Sequence, residues 1–85
     1  MEFAVEKSLS STQISEFIVN WVSRNFDIES CEIKVDIPLG KYGLDSAYWI
    51  ALMSELEEFL EKPVKLMDAQ EHSTISSMAE YLSTL

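Results

Sequence analysis

The segment "YGLDSAYWIALMSELEEF", residues 42–59, joins a glycine turn, an aspartate–serine pair and an amphipathic run. At about 100° per residue, the run places its large apolar side chains on one arc of a helix. That arc contains Trp49, Leu52, Met53, Leu56 and Leu60, with Tyr48 and Phe59 at its edge. The opposite arc is acidic with a small apolar patch near its start, and contains Ala47, Ile50, Ala51, Ser54, Glu55, Glu58 and Glu61. The pattern predicts a helix from Ala47 that Pro63 stops, with one face buried.

Amphipathic segments also lie on both sides of this run. Ser10 and Gln13 have the spacing of a capping box, and apolar residues then recur with helical period as far as Asn25. These residues are Ile14, Phe17, Ile18, Trp21 and Val22. Beyond Pro63, residues 66–71 predict one or two helical turns. A last helix is predicted by Ile75, Met78, Ala79 and Leu82, with Ser73 or Thr74 as its N-cap.

Residues 27–43, between the first two long helices, have no helical period. Ile33, Val35 and Ile37 alternate as in a strand, but Pro38 and the two glycines that follow interrupt the pattern. We therefore expect a long ordered loop, held to the core by its apolar residues and containing at most a short helical turn. The sequence predicts an all-α fold: a small four-helix bundle of three long helices and one short one, with this loop between the first and second.

Length and composition favour one small domain over residues 1–85, with residues 1–10 as a flexible N-terminal segment and 11–85 as the folded bundle. Fifteen acidic and six basic side chains give a formal net charge of −9. This charge repels phosphate backbones and attracts basic protein surfaces, so it argues against a nucleic-acid partner. The sequence has neither a stretch able to span a bilayer nor the pattern of a secretory signal. We expect a cytoplasmic monomer with no membrane partner.

Ser46 stands where the central helix is predicted to begin, so its hydroxyl is either an N-cap or a displayed nucleophile, and the cap is the commoner use. A serine hydrolase needs a histidine base, but His72, the only histidine, lies far downstream. The nucleophile elbow needs glycine two positions on either side, where this chain has Leu44 and Tyr48. We therefore predict no catalytic residues and no self-contained enzyme.

Other reactive or aromatic residues add no second site. Cys31 is the only cysteine, and neither it nor His72 has a companion that would complete a metal site. Phe17, Trp21 and Trp49 could line a pocket for an acyl chain, but residues at helical spacing more often fill the core, which is the interpretation we favour. The sequence therefore predicts no metal ion.

The stretches "GLDSA", "LMSELEEFLEKPV" and "EHSTISSMAEYL" resemble the acyl carrier protein family, in the branch used by modular polyketide and peptide synthases. The resemblance extends from Ile14 to Leu82. It implies that Ser46 carries 4′-phosphopantetheine received from coenzyme A, with Gly43, Leu44 and Asp45 as the flanking motif. Intermediates would then be held as thioesters on this arm. A helix start suits an anionic linker, because its N–H groups are unpaired and the helix dipole is positive there.

The resemblance also implies the partners: a phosphopantetheinyl transferase, an acyl-loading enzyme (an acyltransferase or acyl-activating ligase), and a ketosynthase or other assembly-line enzymes. The second helix and the loop before it would be the docking surface. Its outward positions would be Leu44, Ala47, Ile50, Ala51, Ser54 and Glu58, and basic rims on partners would meet Glu55, Glu58 and Glu61.

This chain departs from the family pattern in three places, since Ala47 replaces the usual leucine, Ala51 a frequent acidic residue and Ser73 the usual proline. Within the carrier class, polyketide assembly is the first interpretation, and a peptidyl or fatty-acid carrier is the alternative. An alternative of another class is an unmodified acidic helical interaction module in which Ser46 is only a cap.

Overall fold

The computed structural model describes residues 9–85, apart from the side chain of Asp68. Its helices are α1 (Ser11–Phe26), α2 (Ser46–Leu60), α3 (Leu66–Gln70) and α4 (Ile75–Ser83). Two 3₁₀ turns, Ser30–Glu32 and Leu39–Tyr42, lie between α1 and α2. No strand forms within residues 9–85, so the predicted helical class is confirmed. The predicted flexible segment lies outside the described residues except for Leu9 and Ser10.

The start of α1 is fixed by the capping box that the sequence predicts. The Gln13 main-chain N–H donates to Ser10 Oγ at 3.2 Å, and the Ser10 N–H donates to Gln13 Oε1 at 2.9 Å. At the other end, Asp27 adopts the left-handed conformation (φ 55°) and its N–H donates to the Ser23 carbonyl. These caps satisfy main-chain groups that the helix itself leaves unpaired.

Helix α4 begins at one of its two predicted caps and packs against α1. Thr74 is the N-cap, and its Oγ1 accepts a hydrogen bond of 3.1 Å from the Ser77 N–H. The helix buries the predicted apolar face, and α1 buries most of its own. The buried residues of the two helices are Ile14, Ile18, Trp21, Val22, Ile75, Met78, Ala79 and Leu82.

The connection from α1 to α2 is tied to the start of α4 by main-chain hydrogen bonds. The Leu39 N–H donates to the Ser73 carbonyl at 2.7 Å, and the Ser76 N–H donates to the Val35 carbonyl at 2.8 Å. Ile33 and Leu39 are buried, but the two 3₁₀ turns occupy part of the segment that the sequence predicts as a long loop. The strand-like alternation yields only an isolated bridge between Pro38 and Thr74, because proline cannot donate to a ladder and a 3₁₀ turn follows at once.

The inward face of α2 closes the core. Leu52, Met53, Leu56 and Leu60 are buried, as the helical period predicts. Trp49 is half-buried instead of fully enclosed. Phe59 is half-buried and Tyr48 is 38% exposed, in keeping with their predicted positions at the edge. The Phe59 ring stacks on that of Phe17 in α1, with centroids 4.3 Å apart. None of the helices in the described part of the chain is long and apolar enough to cross a membrane.

The burial of Leu56 yields a prediction for stability. This side chain has no exposed surface, so Leu56→Ala removes apolar contacts and leaves a cavity. We expect the free energy of unfolding to fall by about 2–5 kcal/mol. Urea unfolding followed by circular dichroism measures the change. Ile50→Ala on the same helix is the matched control, because Ile50 is 55% exposed and should change stability little; equal losses in the two variants would contradict the assigned orientation of α2.

Candidate functional site

The turn before α2 depends on a glycine. Gly43 ends the second 3₁₀ turn with φ 100°, and its N–H donates to the Gly40 carbonyl at 3.2 Å. A Cβ added at Gly43 would lie 3.7 Å from the Phe26 ring, which is ordinary contact. The backbone angle, and not lack of space, is therefore what favours glycine here. This turn sets the direction in which the chain enters α2.

Asp45, and not Ser46, caps α2. Its backbone is extended, and its carboxylate accepts a hydrogen bond of 3.1 Å from the Tyr48 N–H. Ser46 is the first residue of the helix proper. The interpretation of Ser46 as the N-cap is therefore wrong, because the preceding residue takes that position. The Ser46 side chain is exposed, and its hydroxyl has no hydrogen-bond partner among residues 9–85.

Three aromatic rings hold the start of α2 against the end of α1. The rings of Phe26 and Tyr48 are 4.6 Å apart, and the Trp21 ring meets both edge-on at 6.2 and 6.3 Å. Edge-to-face and tilted contacts of this kind add to the free energy gained from burial. The first turn of α2, with Ser46 on it, therefore rests on a packed support.

A cavity of about 280 Å³ opens beside Ser46. Its apolar wall is formed by Leu39, Leu44 and Trp49, and polar groups come from Gln70 and Ser73. Its volume is just below the range of about 300–1,000 Å³ typical of small-molecule pockets. Trp49 both lines this cavity and packs against the core. Gln70 and Ser73 are not among the predicted site residues, because no local pattern links them to Ser46, which is distant in sequence.

The predicted docking residues of α2 lie at the surface, with one correction in the loop. The exposed positions are Ala47, Ile50, Ala51, Ser54, Glu55, Glu58 and Glu61. The expectation that Leu44 points outward is wrong, because this side chain is half-buried and packs against the core. It follows Gly43 directly, and the turn there directs its side chain inward. Glu57 is also engaged, since its carboxylate accepts a hydrogen bond of 2.7 Å from the Val64 N–H.

The remaining reactive side chains lie apart from Ser46. His72 Nδ1 is 2.7 Å from Ser77 Oγ, and the His72 ring stacks on Tyr81 at 4.7 Å. Cys31 is exposed on the first 3₁₀ turn. Within the described part of the chain, no cluster of three or more histidine, cysteine or acidic residues could hold a metal ion.

The model of the phosphopantetheine attachment site family matches residues 16–82. This chain belongs to that family. The family's prosthetic group is 4′-phosphopantetheine, and its members are carrier domains that are typically not catalytic. The start of α2 suits such a group, because it presents an unpaired, exposed hydroxyl beside a partly apolar cavity.

Two similar proteins are a polyketide synthase protein and an acyl carrier protein. The chain is 29% identical over 70 residues to a phenolphthiocerol/phthiocerol polyketide synthase protein of Mycobacterium tuberculosis. The match covers 82% of this chain but only 4% of that much longer protein. The chain is also 16% identical over 79 residues to the acyl carrier protein TtuC of Teredinibacter turnerae, covering 93% of this chain and 91% of the relative.

Solved structures share the fold. A free-standing peptidyl carrier protein of Acinetobacter baumannii superposes with a TM-score of 0.80 and 25% identity, covering 88% of this chain and 94% of that one. The HMG-ACPI domain of the CurA module of Lyngbya majuscula superposes with a TM-score of 0.77 at 17% identity, covering 99% and 84%. The family relationship and the fold therefore agree.

The cap at Asp45 gives a second testable prediction. Asp45→Ala removes the acceptor for the Tyr48 N–H, and we expect the free energy of unfolding to fall by about 1 kcal/mol. Asp45→Asn is the control, because an asparagine oxygen caps a helix about as well. Chemical denaturation of the three proteins makes the comparison. Equal stability of the alanine variant and the unchanged protein would show that this cap contributes nothing measurable.

Proposed function

We propose that Ser46 is the residue of this carrier to which 4′-phosphopantetheine is attached. The supporting observation is that Asp45 caps α2 and leaves the Ser46 hydroxyl exposed and unpaired on the first turn. The N–H groups of Ser46 and Ala47 lack acceptors within the helix, and the helix start favours an anion. A phosphodiester on Ser46 could therefore accept hydrogen bonds from these unpaired N–H groups. Gly43, Leu44 and Asp45 would form the turn next to it.

The attachment reaction is a phosphoryl-group transfer from coenzyme A. The Ser46 oxygen bonds to the phosphorus that carries the pantetheine half, the bond from this phosphorus to the bridging oxygen breaks, and adenosine 3′,5′-bisphosphate leaves. The hydroxyl proton passes to a base of the phosphopantetheinyl transferase, because the residues that line the cavity beside Ser46 include no histidine. The chain supplies the acceptor and its position, and the transferase supplies the acid–base catalysis.

Once attached, the arm supplies the thiol on which an acyl group is held as a thioester. The chain itself is a carrier and not an enzyme. We further propose a cytoplasmic monomer, with residues 1–85 as one carrier domain and α3 as the short fourth helix of its bundle.

The exposed face of α2 is proposed as the surface on which partner enzymes dock. Its outward residues are Ala47, Ile50, Ala51, Ser54, Glu55, Glu58 and Glu61. The carboxylates would attract basic rims on the transferase, the acyl-loading enzyme and a ketosynthase or other assembly-line enzyme. The net charge of −9 extends this attraction beyond the surface itself.

Polyketide-type assembly is the pathway class we favour, on the 29% identity to a polyketide synthase. A peptidyl carrier is the second candidate, because a free-standing peptidyl carrier protein has the same fold at 25% identity. Fatty-acid synthesis is the third. The candidate of another class is the unmodified acidic interaction module, in which Ser46 would carry nothing.

The attachment site is tested by Ser46→Ala. Incubation with coenzyme A, magnesium and a broad-specificity phosphopantetheinyl transferase should add one arm to the unchanged chain and none to the variant. Intact mass and peptide mapping give the result, and circular dichroism checks that the variant folds. Ser30→Ala, at an exposed serine on the first 3₁₀ turn and outside the proposed docking surface, is the matched control and should accept the arm. Modification of Ser46→Ala would refute the site, and failure of the unchanged chain beside a competent control carrier would favour the unmodified module.

The class of cargo is tested by charging the arm-bearing protein. We expect acylation by polyketide-type acyltransferases or acyl-activating ligases and none by amino-acid adenylation enzymes. Mass spectrometry of the intact protein records the added group, and a known peptidyl carrier controls for the adenylation enzymes. Efficient loading of an amino acid, without acyl loading, would replace the polyketide assignment with the peptidyl one.

A further inference from the structure

The hydroxyl of Tyr42 makes two hydrogen bonds with the main chain of one residue in the connection between α1 and α2. It accepts a hydrogen bond of 2.7 Å from the Lys34 N–H and donates one of 3.3 Å to the Lys34 carbonyl. A single side chain thus pairs both main-chain groups of a residue eight positions earlier. These two hydrogen bonds, called here the Tyr42–Lys34 pair, close the chain between the two residues into a loop.

The Tyr42–Lys34 pair fixes the end of the second 3₁₀ turn. Within residues 9–85, hydrogen bonds join this turn to other segments at both of its ends. At its start, the Leu39 N–H donates to the Ser73 carbonyl, just before α4. At its end, Tyr42 is bound to Lys34, and the next residue, Val35, has its carbonyl bound to the first turn of α4. Both ends of the turn are therefore connected to the start of α4.

The same turn leads directly to Ser46. Gly43 follows Tyr42 with φ 100°, and its N–H donates to the carbonyl of Gly40 within the turn. Glycine adopts many backbone conformations at little cost, so its own angles do not fix the direction of the chain. That direction depends on contacts made by its neighbours. Tyr42 is the neighbour on one side, and Asp45, the cap of α2, lies on the other.

The transfer of the arm depends on the direction in which the Ser46 hydroxyl points. Its oxygen must approach the phosphorus of coenzyme A in line with the bond that breaks, and a misplacement of about 1 Å can slow a reaction greatly. We propose that Tyr42 is a positioning residue for arm attachment, which holds the turn at Gly43 and so the Ser46 hydroxyl. Tyr42 does not touch the reacting atoms. This inference rests on the proposed attachment at Ser46.

A positioning role predicts a change in kcat and not in KM. The proposed docking surface is the exposed face of α2, and the Tyr42–Lys34 pair contributes no residue to it. A carrier without the pair should therefore bind the phosphopantetheinyl transferase normally but hold its hydroxyl out of line more of the time. Loss of an interaction that matters only for the chemical step lowers kcat. A residue that merely stabilises the fold changes neither constant while the protein stays folded.

The experiment uses Tyr42→Phe, which keeps the ring that packs against the core and removes the hydroxyl. Arm transfer to Ser46 by a broad-specificity phosphopantetheinyl transferase is measured with carrier concentration varied. We expect kcat to fall about three- to tenfold, the factor that corresponds to one hydrogen bond, with KM changed less than about twofold. Amide hydrogen exchange at the Lys34 N–H should become about threefold faster or more, which records the loss of the pair.

Two control variants separate positioning from other effects. Tyr48→Phe makes the same chemical change nearer to Ser46, at a hydroxyl that has no hydrogen-bond partner within residues 9–85. Ile18→Val removes a buried methylene group from α1 and lowers stability without changing the turn. Circular dichroism checks that all variants are folded at the assay temperature. Both controls should keep the kcat of the unchanged chain.

The outcomes separate this inference from the proposed function. A normal kcat for Tyr42→Phe would overturn the positioning role, and so would unchanged exchange at Lys34 or a rise in KM alone. An equal fall of kcat in either control would overturn it as well, since the effect would not depend on the pair. If the unchanged chain accepted no arm beside a competent control carrier, the attachment proposal itself would fail. Normal modification of both the unchanged chain and Tyr42→Phe would leave the attachment site standing and refute the positioning role alone.

Discussion

The attachment of the α1–α2 connection to the start of α4 organises the functional end of this molecule. Two main-chain hydrogen bonds make the attachment, one from Leu39 to Ser73 and one from Ser76 to Val35. The first of these hydrogen bonds joins two residues that line the cavity beside Ser46, Leu39 and Ser73. The loop is therefore not a passive link. It brings the turn at Gly43 to a fixed place, and α2 starts from there.

The first turn of α2 is held both by a local cap and by contacts with α1. Asp45 satisfies an N–H of the first turn, and the rings of Trp21, Phe26 and Tyr48 hold that turn against the end of α1. Because the cap is supplied by Asp45, the next residue is free to present its hydroxyl. The residue that caps the helix, Asp45, and the residue proposed to carry the arm, Ser46, are therefore neighbours and not the same residue.

This separation suits a carrier of the phosphopantetheine attachment site family. A small domain can bury a core of apolar helix faces, but it has little interior left for a catalytic apparatus. The chain instead has a supported helix start at Ser46, the proposed acceptor, on a helix whose own carboxylates begin at Glu55. Under the proposed function, partner enzymes would supply the acids and bases for attachment and loading.

The sequence alone determined the helices, the capping box of α1 and the faces that the helices bury, because these depend on spacing within a few residues. Ser10 with Gln13, the period from Ile14 to Val22, and the inward face from Leu52 to Leu60 are of this kind. The motif around Ser46 could also be found in the sequence, which left the Ser46 hydroxyl as either a cap or a displayed nucleophile, and the structure gives the cap to Asp45. Only the tertiary structure decided that Leu44 packs against the core and that Gln70 and Ser73 join Ser46 around a cavity. Those relations join segments distant in the chain, and the long-range packing and hydrogen bonds that create them leave no periodic signal in the sequence.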